Sequence, residues 1–340
     1  MAVAALLALL LAIGAGLAQL PTAAPGGGPG SGDATLYRQI AARVASGQNY
    51  YDAAAIEQRA SGYPLKPFTA VRPPVVAALG AMFGPTGADL LLRLLAVAVT
   101  VGTAMRIAPQ LRPPYREAAI LLSATSAGAL IQTGMWVWHE IWAGLLIALA
   151  LACRTERRWR VSVVLGLTAA LVRELAFPFL PIMAVAAWAS GNRREARGWI
   201  AAAAIALLLL AAHMNAVRLI ALPGDVTSPG WMVFGGWRFD LALARQSSLL
   251  LALPIWATAI VTPLALLGWC AWPGAYAARV SAMLALWLTA FLVIGRPDNS
   301  YWGFLLAPLL PLGLALSPMA LRDLARAAMV PGGVPERLPR

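Results

Sequence analysis

The sequence predicts an all-α polytopic membrane protein of about ten transmembrane helices, and three observations carry that expectation. Hydrophobic residues make up 60% of the chain and charged residues only 12%, with a mean hydropathy of +0.73. A soluble domain of this size carries about twice that charge fraction. Ten apolar runs recur along the chain, several near the roughly 20 residues that cross a bilayer as helix. Finally, the net charge of +12 is almost wholly arginine, Lys66 being the lone lysine, and the arginines gather at the ends of apolar runs. There they set membrane topology rather than form a nucleic-acid surface.

The runs fall at 2–20, 86–108, 117–134, 137–153, 161–176, 178–190, 198–220, 248–271, 278–295 and 301–318. The first lacks a basic leader and is long for a signal peptide, which favours a retained helix over a cleaved one. It is followed by "PTAAPGGGPGSG" (21–32), whose composition reads as a flexible connector. The stretch 75–84, "VVAALGAMFG", is too short to span and reads as an outer-leaflet helix or the kinked start of the second span. Cys153 and Cys270 end apolar runs and suggest neither a disulfide framework nor a metal knuckle. The chain is expected to form one domain over 1–340, with no soluble C-terminal domain.

Ten spans with the N-terminus inside place four basic groups on the cytoplasmic side. These are Arg106/Arg112/Arg116, "CRTERRWR" (153–160), "GNRREARGW" (191–199) and Arg322/Arg326. The loops sent outward are 21–74, those near 134–138 and 177, 221–247 and 296–300. They bring ionisable and aromatic groups from five places to one membrane face: Asp33, Tyr37, Lys66, Arg72, His139, Glu140, Arg173, Glu174, Trp237, Arg238, Asp240, Arg296 and Asp298 among them. Ionisable groups at membrane depth are costly and mark a site by default. Mid-span charges such as Arg93 and His213 are few, and no internal repeat of broken helices is evident, which argues against an inverted-repeat transporter.

The first outer loop is the most polar part of the chain. Two helices are expected there, at 34–46 and 52–60; Leu36, Ile40 and Val44 give the first an apolar stripe able to lie on the membrane surface. Asp33 then falls just before the first helix, as an N-cap or as a reactive carboxylate. Asp52 reads as the cap of the second helix, and Glu57 and Arg59 as solvated charges. "YPLKPFTAVRPP" returns the chain to the bilayer along a proline-stiffened path.

One helix, then "GDATLYRQIAARVASGQNYY", "RPPVVAALGAMFG" and the arginine-bearing "ADLLLRLLAVAV" together resemble the N-terminal signature of the GT-C glycosyltransferases. "WHEIWAGLLIALAL", "LVRELAFPFLP" and "NSYWGFLLAPLLPLGLAL" are similar to recurring segments of bacterial members, including mannosyltransferases and aminoarabinose transferases. The resemblance implies a GT-C-like fold and an integral enzyme of the bacterial inner membrane, active on its outer face. It also implies an inverting transfer of sugar from a polyprenyl-phosphate donor to a hydroxyl of a lipid, glycan or protein.

By the same resemblance Asp33 matches the acidic residue that acts as general base on the acceptor. Fixed cations must receive the departing phosphate, and the candidates are Arg72, Arg173, Arg296 and Lys66. Tyr37, Tyr51, His139, Glu140 and Tyr301 are candidates for substrate contact. Some members of that family use a divalent cation, which leaves one open by resemblance, but one histidine beside one glutamate falls short of a metal-ligand motif, and no metal or cofactor is assigned.

Each candidate has a plainer alternative. His139-Glu140, flanked by Trp136, Trp138 and Trp142, also fits an interfacial aromatic belt with a hydrated polar pair. Arg173-Glu174 also fits a self-compensated pair, and "GRPDNSYW" a tight outer turn. A lipid-linked-sugar flippase and a catalytically silent GT-C-like scaffold are the functional alternatives.

Overall fold

The computed structural model describes residues 1–20, 31–246 and 249–329, with the side chain of Ser31 excepted. Most of the Gly/Pro connector lies outside them. Among the described residues the protein is all-helical. The one β-like contact is an isolated bridge between Lys66 and Thr227. In chain order the α-helices are α1 (Ala2–Ala18), α2 (Ser31–Ala45), α3 (Tyr50–Ala60), α4 (Val75–Ile107), α5 (Tyr115–Ala129), α6 (His139–Cys153) and α7 (Trp159–Val172). Then follow α8 (Phe179–Ala189), α9 (Arg193–Ile220), α10 (Gly236–Gln246), α11 (Ile255–Ala271), α12 (Ala275–Phe291) and α13 (Gly313–Met329).

Among the described residues, two helical segments are long and apolar enough to cross a membrane: Phe68–Gln110, built around α4, and α9. A third arises if Pro297–Leu305 and Leu310–Met329, bent by 68°, count as one broken span. The last expected run, 301–318, is therefore not one straight helix. Pro308 and Pro311 remove backbone donors there, and the chain descends as 3-10 turns before α13 begins. Six further apolar helices, α1, α6, α7, α11, α12 and the segment Glu174–Ala189 ending in α8, are shorter. The α4 kink falls at Gly84, whose φ of +67° suits glycine, beside Pro85.

At the centre is α6, with thirteen of its fifteen residues buried. It packs against α4, α7 and the 3-10 stretch 297–305. Gly144 permits the last contact, since a Cβ there would lie 2.6 Å from the Phe304 carbonyl oxygen. A second close crossing joins α11 to α13, where a Cβ on Gly268 would meet the Gly313 carbonyl oxygen at 1.9 Å.

The helices of the first loop form a platform over this bundle. Leu36, Ile40 and Ala41 of α2 are buried, so the predicted stripe faces protein rather than lipid. Asn49, not Asp52, caps α3, its side chain accepting from the Tyr51 N–H at 2.9 Å. Glu57 is buried and ion-paired with Arg43, which ties α3 to α2. Arg59 grips Asp225 through two bonds of 2.7 and 2.9 Å and the Ile220 carbonyl at 2.7 Å. Neither Glu57 nor Arg59 is the free solvated charge that local composition suggests.

Candidate functional site

The platform brings its polar groups to the N-terminal ends of α4 and α6. Helix α2 starts at Ser31, three residues earlier than expected, so Asp33 sits in its first turn rather than before it. Its Oδ1 accepts the Tyr63 hydroxyl proton, and the carboxylate stays partly exposed. Tyr63 comes from the turn after α3. Burial, and then the bond to Asp33, raise its phenol well above the ordinary tyrosine range, so it remains a donor at every physiological pH.

One helical turn from Asp33, Tyr37 lies beside Arg72, whose guanidinium donates to the Tyr301 hydroxyl at 2.8 Å. Burial, chiefly, raises the Tyr37 phenol too; Arg72 acts in the opposite sense, while Tyr301, Asp33 and Glu140 reinforce the rise. Arg72 ends the extended return path, and its carbonyl accepts the Tyr50 hydroxyl at 2.5 Å. Its Nη2 is 4.0 Å from Glu140 Oε1, and its Nε is buried with no protein partner.

Glu140, one residue into α6, is buried and accepts Arg173 Nε at 2.6 Å. Arg173 is itself 1% exposed, is also paired with Glu174, and lies 6.0 Å over the Trp302 ring. His139 meets Tyr37 edge-on with ring centroids 5.2 Å apart, and its Nδ1 has no protein partner. Trp138 covers Tyr301 at 5.3 Å. The Trp302 Nε1 is likewise buried and unpaired. Asp33, Tyr37, Arg72, His139, Glu140, Arg173 and Tyr301 thus form one electrostatic cluster drawn from five segments of chain.

The other candidates are held elsewhere. Lys66 is spent on the Leu222 and Pro223 carbonyls at 3.2 and 3.0 Å. Arg296 forms a bidentate pair with Asp298 in its own turn, at 3.1 and 2.9 Å. Tyr51 stacks on Tyr50 but turns its hydroxyl to His213 Nδ1 at 3.1 Å, while His213 Nε2 lies 3.1 Å from the Val71 carbonyl.

Within the cluster the cations differ. Arg173 is paired with two carboxylates, whereas Arg72 has two phenols and one carboxylate at the edge of contact. Arg72 therefore keeps capacity for a further anion. Tyr63 and Trp302 were not singled out from the sequence; the "GYP" after α3 signals a turn but not the Asp33 partner. Among the described residues, no three His, Cys, Asp or Glu side chains gather as a metal site needs. Comparison with known protein families, with curated proteins and with solved structures finds no match for this chain.

Proposed function

We propose that the protein is a polytopic enzyme of the bacterial inner membrane, GT-C-like in fold, with about ten spans and its polar cluster on the outer face. Its reaction is an inverting glycosyl transfer from a polyprenyl-phosphate sugar to an acceptor hydroxyl of a lipid, glycan or protein. The observation that carries this reading is that a partly exposed carboxylate, Asp33, and a largely buried, incompletely paired guanidinium, Arg72, both act on the phenols of Tyr37 and Tyr301 just before α4 begins. General-base chemistry needs the first and phosphate departure needs the second.

Asp33 removes the acceptor proton as the acceptor oxygen forms its bond to the sugar C1. The C1–O bond to phosphate breaks, and its electron pair leaves with the phosphate, which Arg72 receives. Tyr63, by donating to Asp33 Oδ1, holds one carboxylate oxygen and leaves the other for the acceptor. Arg173 acts on Glu140 rather than on phosphate: it fixes the carboxylate that lies 4.0 Å from Arg72. Tyr37, Tyr301 and His139 line the approach.

A shallow apolar groove of about 320 Å³ supports a lipid-borne donor. It is lined by Pro74, Val75, Ala78, Leu79 and Met82, and begins two residues after Arg72. A polyprenyl chain laid there would bring its phosphate to the guanidinium.

The test uses wild-type protein in proteoliposomes with a radiolabelled polyprenyl-phosphate sugar and an envelope acceptor fraction. Label moving to acceptor supports the proposal. Translocation of the donor without transfer replaces it with a flippase, and neither event replaces it with a scaffold.

A further inference from the structure

The far end of α4 carries a second concentration of buried charge, which the proposed transfer does not use. From Val75 to Arg106 the helix advances about 45 Å along its path, so this cluster lies at the opposite end of the bundle from Asp33. Three arginines meet there: Arg106 at the end of α4, Arg154 just after α6 and Arg279 in the second turn of α12. Arg279 lies within electrostatic range of Arg154, Glu195 and Arg106.

The carboxylate near Arg154 and Arg279 is Glu195, and it is already committed. Glu195 takes two bonds from Arg154, at 2.9 and 2.6 Å. Asn192 at 3.1 Å and Trp199 at 3.3 Å also donate to it. Among the described residues, neither Arg106 nor Arg279 is ion-paired with a carboxylate. Arg279 is 5% exposed and spends Nη1 on the Ala275 carbonyl at 2.9 Å; its Nε is buried with no partner. Arg106 lies 5.5 Å over the Tyr276 ring, and its Nε is also buried and unpaired. Tyr276 and Arg279 are three residues apart on α12 and so share a face. That helix opens with no acidic residue in its first turn and no side-chain cap, leaving its positive end uncompensated.

Topology accounts for arginines on this side of a membrane, but not for a buried Arg279 and a half-buried Arg106 that each keep a buried Nε without an acceptor. Buried charge of this kind is costly until an anion meets it. We infer that Arg106, Arg279 and the start of α12 form a binding site for a phosphate group, distinct from the Asp33 cluster and supplied by an anionic phospholipid headgroup of the facing leaflet. Phosphate oxygens fit planar guanidinium donors and free helix N–H groups together. The assignment stands whether or not the chain transfers sugar.

The test measures lipid retention by native mass spectrometry and thermal stability in detergent. Wild-type protein is compared with Arg106→Gln, Arg279→Gln and the double variant, titrated with phosphatidylglycerol, phosphatidylcholine or inorganic phosphate. Wild type should retain and be stabilised by phosphatidylglycerol and not by phosphatidylcholine. Each substitution should weaken phosphatidylglycerol roughly fivefold, the size of one arginine's share at a membrane surface. Arg322→Gln, an exposed control, should change nothing. A substitution-sensitive shift with inorganic phosphate alone upholds the site with a soluble anion as its source. Equal retention of both lipids by wild type, or phosphatidylglycerol binding unchanged in Arg106→Gln, overturns the inference. The wild-type comparison decides the matter even if the double variant does not fold.

Discussion

Removing the charges of Glu140 and Arg173 together should destabilise the fold by clearly less than the sum of removing each alone. Glu140 and Arg173 are each 1% exposed, and one carboxylate oxygen lies 2.6 Å from Arg173 Nε and 4.0 Å from Arg72 Nη2. Glu140→Gln keeps the shape and an acceptor but leaves both guanidiniums without that charge. At an effective dielectric near 20, one pair at about 4 Å is worth roughly 4 kcal/mol. Breaking a buried pair by losing one partner costs about 3–5 kcal/mol. Arg173 retains Glu174, which places the expected cost toward the lower end, about 3 kcal/mol. Arg173→Met alone strands Glu140 beside Arg72, whose Nη2 is 4.0 Å away, and should cost a similar amount. The double variant removes one charge of each sign, so it should cost at least about 2 kcal/mol less than the sum of the singles. Equilibrium unfolding in mixed micelles, followed by tryptophan fluorescence, measures all four corners of the cycle. Singles within about 0.5 kcal/mol of wild type, or a strictly additive double, would refute the reasoning.

Three further outcomes follow from packing and from titration. Gly268→Leu should prevent α11 and α13 from closing, because even a Cβ would lie 1.9 Å from the Gly313 carbonyl oxygen; loss of the monodisperse folded peak in size-exclusion chromatography checks this. The bond from Arg59 lowers the Asp225 carboxyl to about 2. Its contribution is therefore present above the unfolded value near 4 and lost as pH falls from 4 toward 2, so pepsin should cut 221–226 progressively faster across that window, and Arg59→Ala should abolish the pH dependence. Asp240, 1% exposed beside a cavity of about 270 Å³ shared with Trp237, Trp269 and Leu288, is pushed by burial up to about 8. A raised carboxyl favours the folded state most at low pH, so the melting temperature of wild type relative to Asp240→Asn should decline from pH 4 to 8 and level off above.

Much of the helical pattern is legible in the chain because local signals dominate it. Gly47 and Asn49 break the segment after α1 into two helices, and Gly84-Pro85 marks the kink in α4. Gathering the loop charges on one face was enough to draw together Asp33, Arg72, Glu140, Arg173 and Tyr301. Pairing was not legible. Glu57 finds Arg43, Arg59 finds Asp225, and Glu195 finds Arg154 across long separations that composition does not encode. Arg296 and Arg173 were separable in principle, since each has a carboxylate within two residues that satisfies it locally. Arg72 has none nearby, and it is the cation left with capacity. Tyr63 shows the remaining gap: a tyrosine in a turn carries no sign of the carboxylate it will hold.

The most direct test is the behaviour of Asp33→Asn, with donor binding and sugar transfer measured on the same preparation. Asparagine keeps the size of the side chain and can still accept the Tyr63 bond, but it cannot take a proton. Transfer should fall by about 10²–10⁴-fold, while the dissociation constant for polyprenyl phosphate, set by Arg72, changes little. Transfer at the wild-type rate would contradict the assignment of Asp33 as the base.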